Sequence, residues 1–158
     1  MERLVLGLTF VSALGSALMA GLFFGFSVAV MTALGRLPPA MGISAMQSIN
    51  VVILNPVFFA VFFGTVGTSI VLAVVSLARW TEPGTGLLLA GCLLYLAGCL
   101  IVTAVFNVPL NDRLAAVRPD SAGGAALWSQ YLSTWTAWNH VRTVACLAAA
   151  ASFILALR

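Results

Sequence analysis

From residue 4 to residue 34 no side chain carries a charge. A helix over that stretch is longer than the ~20 residues needed to cross a bilayer. Three further apolar stretches follow, at 56–77, 85–108 and 135–157, and the charge among them is Arg142. Runs of this length and polarity read as membrane spans. Composition agrees: 62% of residues are hydrophobic and 7% charged, against ~45–50% and ~25% in a soluble domain. Seven arginines and four acidic residues cannot clothe a water-soluble exterior, so lipid must solvate most of the surface. The expected fold class is all-α: a four-transmembrane-helix bundle, one integral membrane domain over residues 1–158.

The boundaries follow from local chemistry. Arg3 and the apolar run behind it resemble a signal peptide, but the run is too long for one, so a retained first span is expected. Gly35-Arg36-Leu37-Pro38-Pro39 stops that span, since paired prolines cannot continue a helix. A polar-spotted helix over 40–54 is expected to lead into the second span with a kink at Pro56. Residues 79–84 form a short polar turn with a belt tryptophan, Trp80. Pro109 disturbs the end of the third span, and 112–124 is the longest polar stretch. Trp128, Tyr131, Leu132 and Trp135 fall at i, i+3, i+4 and i+7, one face of a helix. They predict a short interfacial helix before the fourth span, at headgroup level; a lid over a site below is the sharper alternative.

Ala13, Ala17, Gly21, Gly25, Ala29 and Ala33 make a small-residue stripe on the first span. Such stripes let helix backbones approach closely in lipid, either within the chain or in a homo-oligomer. The net charge of +3 comes from scattered arginines; no basic stripe exists, so nucleic acid is not an expected partner. Arginine counts on the two sides are balanced, so they set no orientation. A multi-pass protein of the plasma membrane, or the inner membrane of a bacterium, is expected. Cys92 and Cys99 lie about 10.5 Å apart along one helix at ~1.5 Å per residue, too far for a disulfide. With Cys146 they read as small buried hydrophobes.

The informative feature is where amides and charges fall. Gln47, Asn50 and Asn55 lie at the start of the second span, Asn107 and Asn111 at the end of the third, and Asn139, His140 and Arg142 at the start of the fourth. In a four-span topology these ends meet one membrane face. Polar groups inside a bilayer are costly unless paired, and tend to be functional. Helix-bridging hydrogen bonds are the bland alternative, worth about 0.6–2 kcal/mol each, but such glue would be spread over both membrane halves. Asn107 and Asn111 share a face, as do Asn139, Arg142 and Cys146. His140 lies about 100° round from Asn139, so either His140 or the Asn139–Arg142 face aims at the centre.

No metal is expected, since a zinc site wants three or four N, S or O ligands and the spans offer one histidine and no carboxylate. A haem held through His140 is the alternative, and it would need a second axial ligand.

Gly21-Leu22-Phe23-Phe24-Gly25-Phe26-Ser27, Ala45-Met46-Gln47-Ser48-Ile49-Asn50 and Asn55-Pro56 resemble the first half of the anthrone oxygenase-like membrane family, long described only as a domain of unknown function. Asn107-Val108-Pro109-Leu110-Asn111 and 135–143, Trp-Thr-Ala-Trp-Asn-His-Val-Arg-Thr, resemble its second half. The resemblance covers nearly the whole chain and implies a four-helix membrane protein. Some fungal relatives are linked to oxidation of anthrones to anthraquinones.

Three functions are in view. One is oxidation of a planar phenolic or quinone-like molecule. There His140 would be the base and Asn139 and Arg142 would join it as catalytic groups. Gln47, Asn50, Asn55, Asn107, Asn111, Trp135 and Trp138 would hold the apolar aromatic substrate, with Phe23 and Phe24 as further walls. The second is a haem- or quinone-binding protein without turnover. The third is an accessory subunit whose interface is the small-residue stripe. Membrane lipid is a partner in all three.

Overall fold

The computed structural model describes residues 2–158. These residues form five helices, which we number α1 (Glu2–Gly35), α2 (Pro39–Val52), α3 (Pro56–Ala78), α4 (Thr85–Ala115) and α5 (Gly124–Ala156). All but α2 are long and apolar enough to cross a membrane. Only 28–33% of the most apolar window of each is buried within the chain. The outside therefore stays as greasy as the core, with Leu4, Phe10, Leu18, Val74 and Leu147 all exposed. That surface is stable in lipid and not in water.

The four long helices close a ring in which α1 packs on α3, α3 on α4, α4 on α5 and α5 back on α1. Phe23, Phe62, Leu72, Tyr95, Cys146 and Phe153 fill the middle. Helix α2 caps one end, burying Ile43 and Met46 with Met31, Leu114, Trp128, Tyr131 and Trp135. Close approach there depends on Gly42, where a Cβ would come 2.8 Å from the Trp128 ring. Gly84, at φ 81°, makes the left-handed turn into α4, a conformation that costs glycine little.

Several sequence expectations need correction. The segment over 40–54 does not run into the second span through a kink at Pro56. The chain breaks instead at 53–55, and Asn55 starts α3 afresh: its Oδ1 accepts from the backbone N–H of Val57 (3.1 Å) and Phe58 (3.0 Å). Pro56 then sits at the first helical position, where its missing N–H costs nothing. The helix of the third span goes on past Pro109 to Ala115, beyond the expected end at 108, with the disturbance just before the proline. The wide π-helical turn at Thr103–Asn107 precedes it, and such a turn relieves the clash of a proline ring with the carbonyl behind it. The Trp128–Trp135 segment is helical, but it is the continuous start of α5. Its aromatic face is buried against the α2 end of the bundle. Of the small-residue stripe, Ala13 is buried, while Ala17, Gly21, Ala29 and Ala33 are exposed. A Cβ on Gly21 or Gly25 would meet nothing in the chain.

Candidate functional site

At the α2 end of the bundle α3 and α4 separate. They pack together over 85–101 of α4 and part beyond it. The gap holds a cavity of about 190 Å³. That is below the ~300–1,000 Å³ of drug-sized sites. Its walls are mostly apolar, from Phe23 and Phe26 of α1, Met46 and Ile49 of α2, and Phe58, Phe59, Phe62 and Phe63 of α3. Phe59 and Phe63 are exposed as well as lining the cavity, so its rim faces the surroundings of the bundle between α3 and α4. Two wide helical turns, Phe26–Val30 and Thr103–Asn107, lie at this depth; such turns recur at functional sites.

The polar groups on the cavity are Asn50, Thr103, Asn107, Asn111 and Arg142. Arg142 is 5% exposed. Its Nη2 donates to Asn139 Oδ1 (2.7 Å) and its Nη1 to Thr103 Oγ1 (3.2 Å), while its Nε is buried without a partner. The guanidinium lies 4.1 Å from the centre of the Phe23 ring and 5.2 Å from that of Trp135, positions that gain cation–π attraction. Every described partner of Arg142 is thus neutral. The acidic residues Glu2, Glu82, Asp112 and Asp120 are all exposed. A buried charge without a countercharge is expensive.

Behind Arg142, Asn139 is fully buried. Its Nδ2 donates to the Phe23 carbonyl (2.6 Å) and to Ser27 Oγ (2.7 Å) on α1. These bonds fix the amide orientation, and so present Oδ1 to Arg142. Asn111 Oδ1 accepts from Tyr131 Oη–H and Trp135 Nε1–H, both at 2.8 Å, and holds the aromatic face of α5 against α4. Asn107 Nδ2 donates to the Trp135 carbonyl (3.3 Å), and its Oδ1 is buried without a partner.

The structure separates the predicted site residues. Asn50, Asn107, Asn111, Trp135 and Arg142 line one cavity, and Asn139 supports Arg142 from behind. The Asn139–Arg142 face points inward, so His140 points out: it is exposed and lines a different, shallow groove with Ser27, Met31 and Thr136. A base at His140 is therefore not available to the cavity. Asn55 is a helix cap. Gln47 Nε2 donates to the Leu114 (2.8 Å) and Val117 (3.0 Å) carbonyls, tying α2 to the end of α4. Trp138 stacks on Phe106 at 3.5 Å, off the cavity. Phe23 is a wall as expected, whereas Phe24 is exposed. Thr103 and the α3 phenylalanines were not anticipated. The signal for the latter was the i, i+1, i+4, i+5 pattern of Phe58, Phe59, Phe62 and Phe63, two adjacent columns on one helix side.

Among the described residues no three His, Cys, Asp or Glu side chains group in a way that suits a metal ion. No curated protein and no solved structure matches the chain. The sequence model of the anthrone oxygenase family matches residues 58–152, a stretch that holds the α3 phenylalanines, Thr103, Asn107, Asn111, Trp135, Asn139 and Arg142. On that match, and with four apolar helices around an aromatic cavity, the chain is a membrane protein belonging to the anthrone oxygenase family.

Proposed function

We propose that this chain crosses its membrane several times and oxidises, with dioxygen, a flat apolar molecule that has an acidic C–H conjugated with a carbonyl through its aromatic rings. The anthrones named by the family are the obvious class. One observation carries the reading: the buried guanidinium of Arg142, with neutral partners only, sits in a cavity walled by aromatic rings. Such a site lacks a negative charge, and an aromatic enolate would supply it.

The chemistry then needs little else. Loss of the C–H proton gives an enolate spread over the rings, with most charge on oxygen. Arg142 stabilises that oxygen. A preorganised buried donor of this kind contributes about 3 kcal/mol, or about two pKa units at ~1.36 kcal/mol per unit. That eases ionisation enough for water to take the proton without a side-chain base. Dioxygen adds to the electron-rich carbon, and the peroxide takes a proton back. Loss of water then leaves a second carbonyl. Overall a CH2 and one O2 become a C=O and one H2O, so dioxygen is the whole oxidant. Phe23, Phe58 and Phe62 supply the flat apolar surroundings.

The test is aerobic incubation of the purified protein with anthrone, following oxygen uptake and quinone absorbance together. The expected result is one quinone per oxygen consumed, faster than in buffer, with the acceleration lost in Arg142→Met. Protein that neither binds nor converts an anthrone, a naphthol or a quinol overturns the reading.

A further inference from the structure

Asn107 is 1% exposed, lines the cavity, and leaves its Oδ1 without a partner. The amide has no freedom to hide that oxygen. Its Nδ2 donates to the Trp135 carbonyl; a flipped amide would place two acceptors against each other, so the backbone of α5 dictates which end of the amide is left over. An acceptor buried in an apolar wall costs about 1–3 kcal/mol while it stays unpaired. A second residue of the cavity wall has an unpaired group of opposite sense: the buried Nε–H of Arg142 is a donor. A molecule that satisfies both carries an acceptor oxygen and, elsewhere on its rings, a hydroxyl.

We infer that Asn107 is the specificity-determining residue of the cavity, and that its Oδ1 selects ligands bearing a free ring hydroxyl over otherwise equal ones. This rests on the proposed function only in taking the cavity as the ligand site. Asn50 and Asn111 are weaker candidates for the role. Asn111 Oδ1 is already filled by Tyr131 and Trp135, and Asn50 is only half-buried and has no buried unpaired atom.

The experiment titrates the purified protein with 2-hydroxyanthraquinone and with 2-methoxyanthraquinone near pH 6, where the hydroxyl is neutral. Quenching of tryptophan fluorescence is the readout, since Trp135 lines the cavity. The two probes share a ring system and a carbonyl for Arg142 and differ in the hydroxyl donor. The expected result is tighter binding of the hydroxy compound by about tenfold, the worth of one buried hydrogen bond. Asn107→Leu should bring the ratio close to one by weakening the hydroxy compound alone. If Asn107→Leu does not fold, the smaller change Asn107→Ala, which also removes the acceptor, is read in the same way. Equal binding to the unaltered protein overturns the assignment and leaves the oxidation reading standing. A ratio that survives substitution of Asn107 also overturns it, by showing that another group reads the hydroxyl. Binding of neither probe overturns both.

Discussion

Asn139 Oδ1 accepts a 2.7 Å hydrogen bond from Arg142 Nη2, one helical turn along α5. The same asparagine is anchored on its other side to the Phe23 carbonyl and Ser27 Oγ of α1. The pair therefore does two jobs that differ in kind. Asn139 joins α5 to α1 with two buried hydrogen bonds, whereas Arg142 brings an uncompensated charge to the cavity. Structure and function are separable at adjacent positions on one face.

That separation gives a first prediction. Arg142→Met removes a charge that no carboxylate balances and puts an apolar chain of similar length against Phe23 and Trp135. Replacing a buried charge by a packed hydrophobe is commonly neutral or stabilising, so the unfolding temperature should hold or rise while aromatic ligands no longer stabilise the protein. Asn139→Ala should do the reverse. It strands the Arg142 guanidinium and the Ser27 hydroxyl together, a loss of about 2–4 kcal/mol. A ligand-panel thermal-shift assay on both variants checks this; equal destabilisation by the two would contradict it.

How far the site was readable from the chain follows from the same residues. Asn107 and Asn111, and Asn139 and Arg142, share faces because i, i+4 and i, i+3 spacings on a helix leave no choice. Their common depth follows from counting spans. Whether His140 or Asn139 points inward was undecidable locally, since both lie on the same turn and only the α1 carbonyl at Phe23 discriminates between them. Gln47 was misplaced for a like reason: the Leu114 and Val117 carbonyls that hold it belong to a distant helix. Asn55 is different. An asparagine directly before a proline is a helix-start signal, and the sequence itself thus marks Asn55 as a cap. The wide turn at Thr103–Asn107 has Pro109 just behind it as a sequence signal, whereas the one at Phe26–Val30 has no proline near it.

His140 supplies a second prediction. Because it is exposed and lines a groove apart from the cavity, His140→Ala should leave both ligand affinity and the rate of anthrone oxidation within about twofold of the unaltered protein, a change no larger than surface substitutions usually bring. The measurement is the same oxygen-uptake assay beside Arg142→Met as the inactive control. A loss comparable to that of Arg142→Met would show that the groove and the cavity act as one site.

The glycines of α1 give a third prediction, because two of them look alike in sequence and differ in place. At Gly15 a Cβ would overlap the Thr65 hydroxyl of α3 and approach the Thr65 Cβ to 3.2 Å. Thr65 is buried and its hydroxyl donates to the Val61 carbonyl at 2.7 Å, so it cannot swing aside without giving up that bond. Gly15→Ala should therefore push α1 off α3, at the ~1–3 kcal/mol typical of overpacking. Gly21 has no atom within reach of an added Cβ, although it belongs to the Gly-x-x-x-Gly pattern that reads as the tighter packing motif. Gly21→Ala should cost nothing within the chain, and should gain about 0.5–1 kcal/mol from the lower backbone entropy of the unfolded chain. Denaturation in mixed detergent micelles, monitored by helical circular dichroism, ranks the two. Gly15→Ala should unfold earlier than the unaltered protein and Gly21→Ala no earlier. The opposite order would mean that the outward stripe, and not the Gly15–Thr65 crossing, is where α1 meets its closest neighbour.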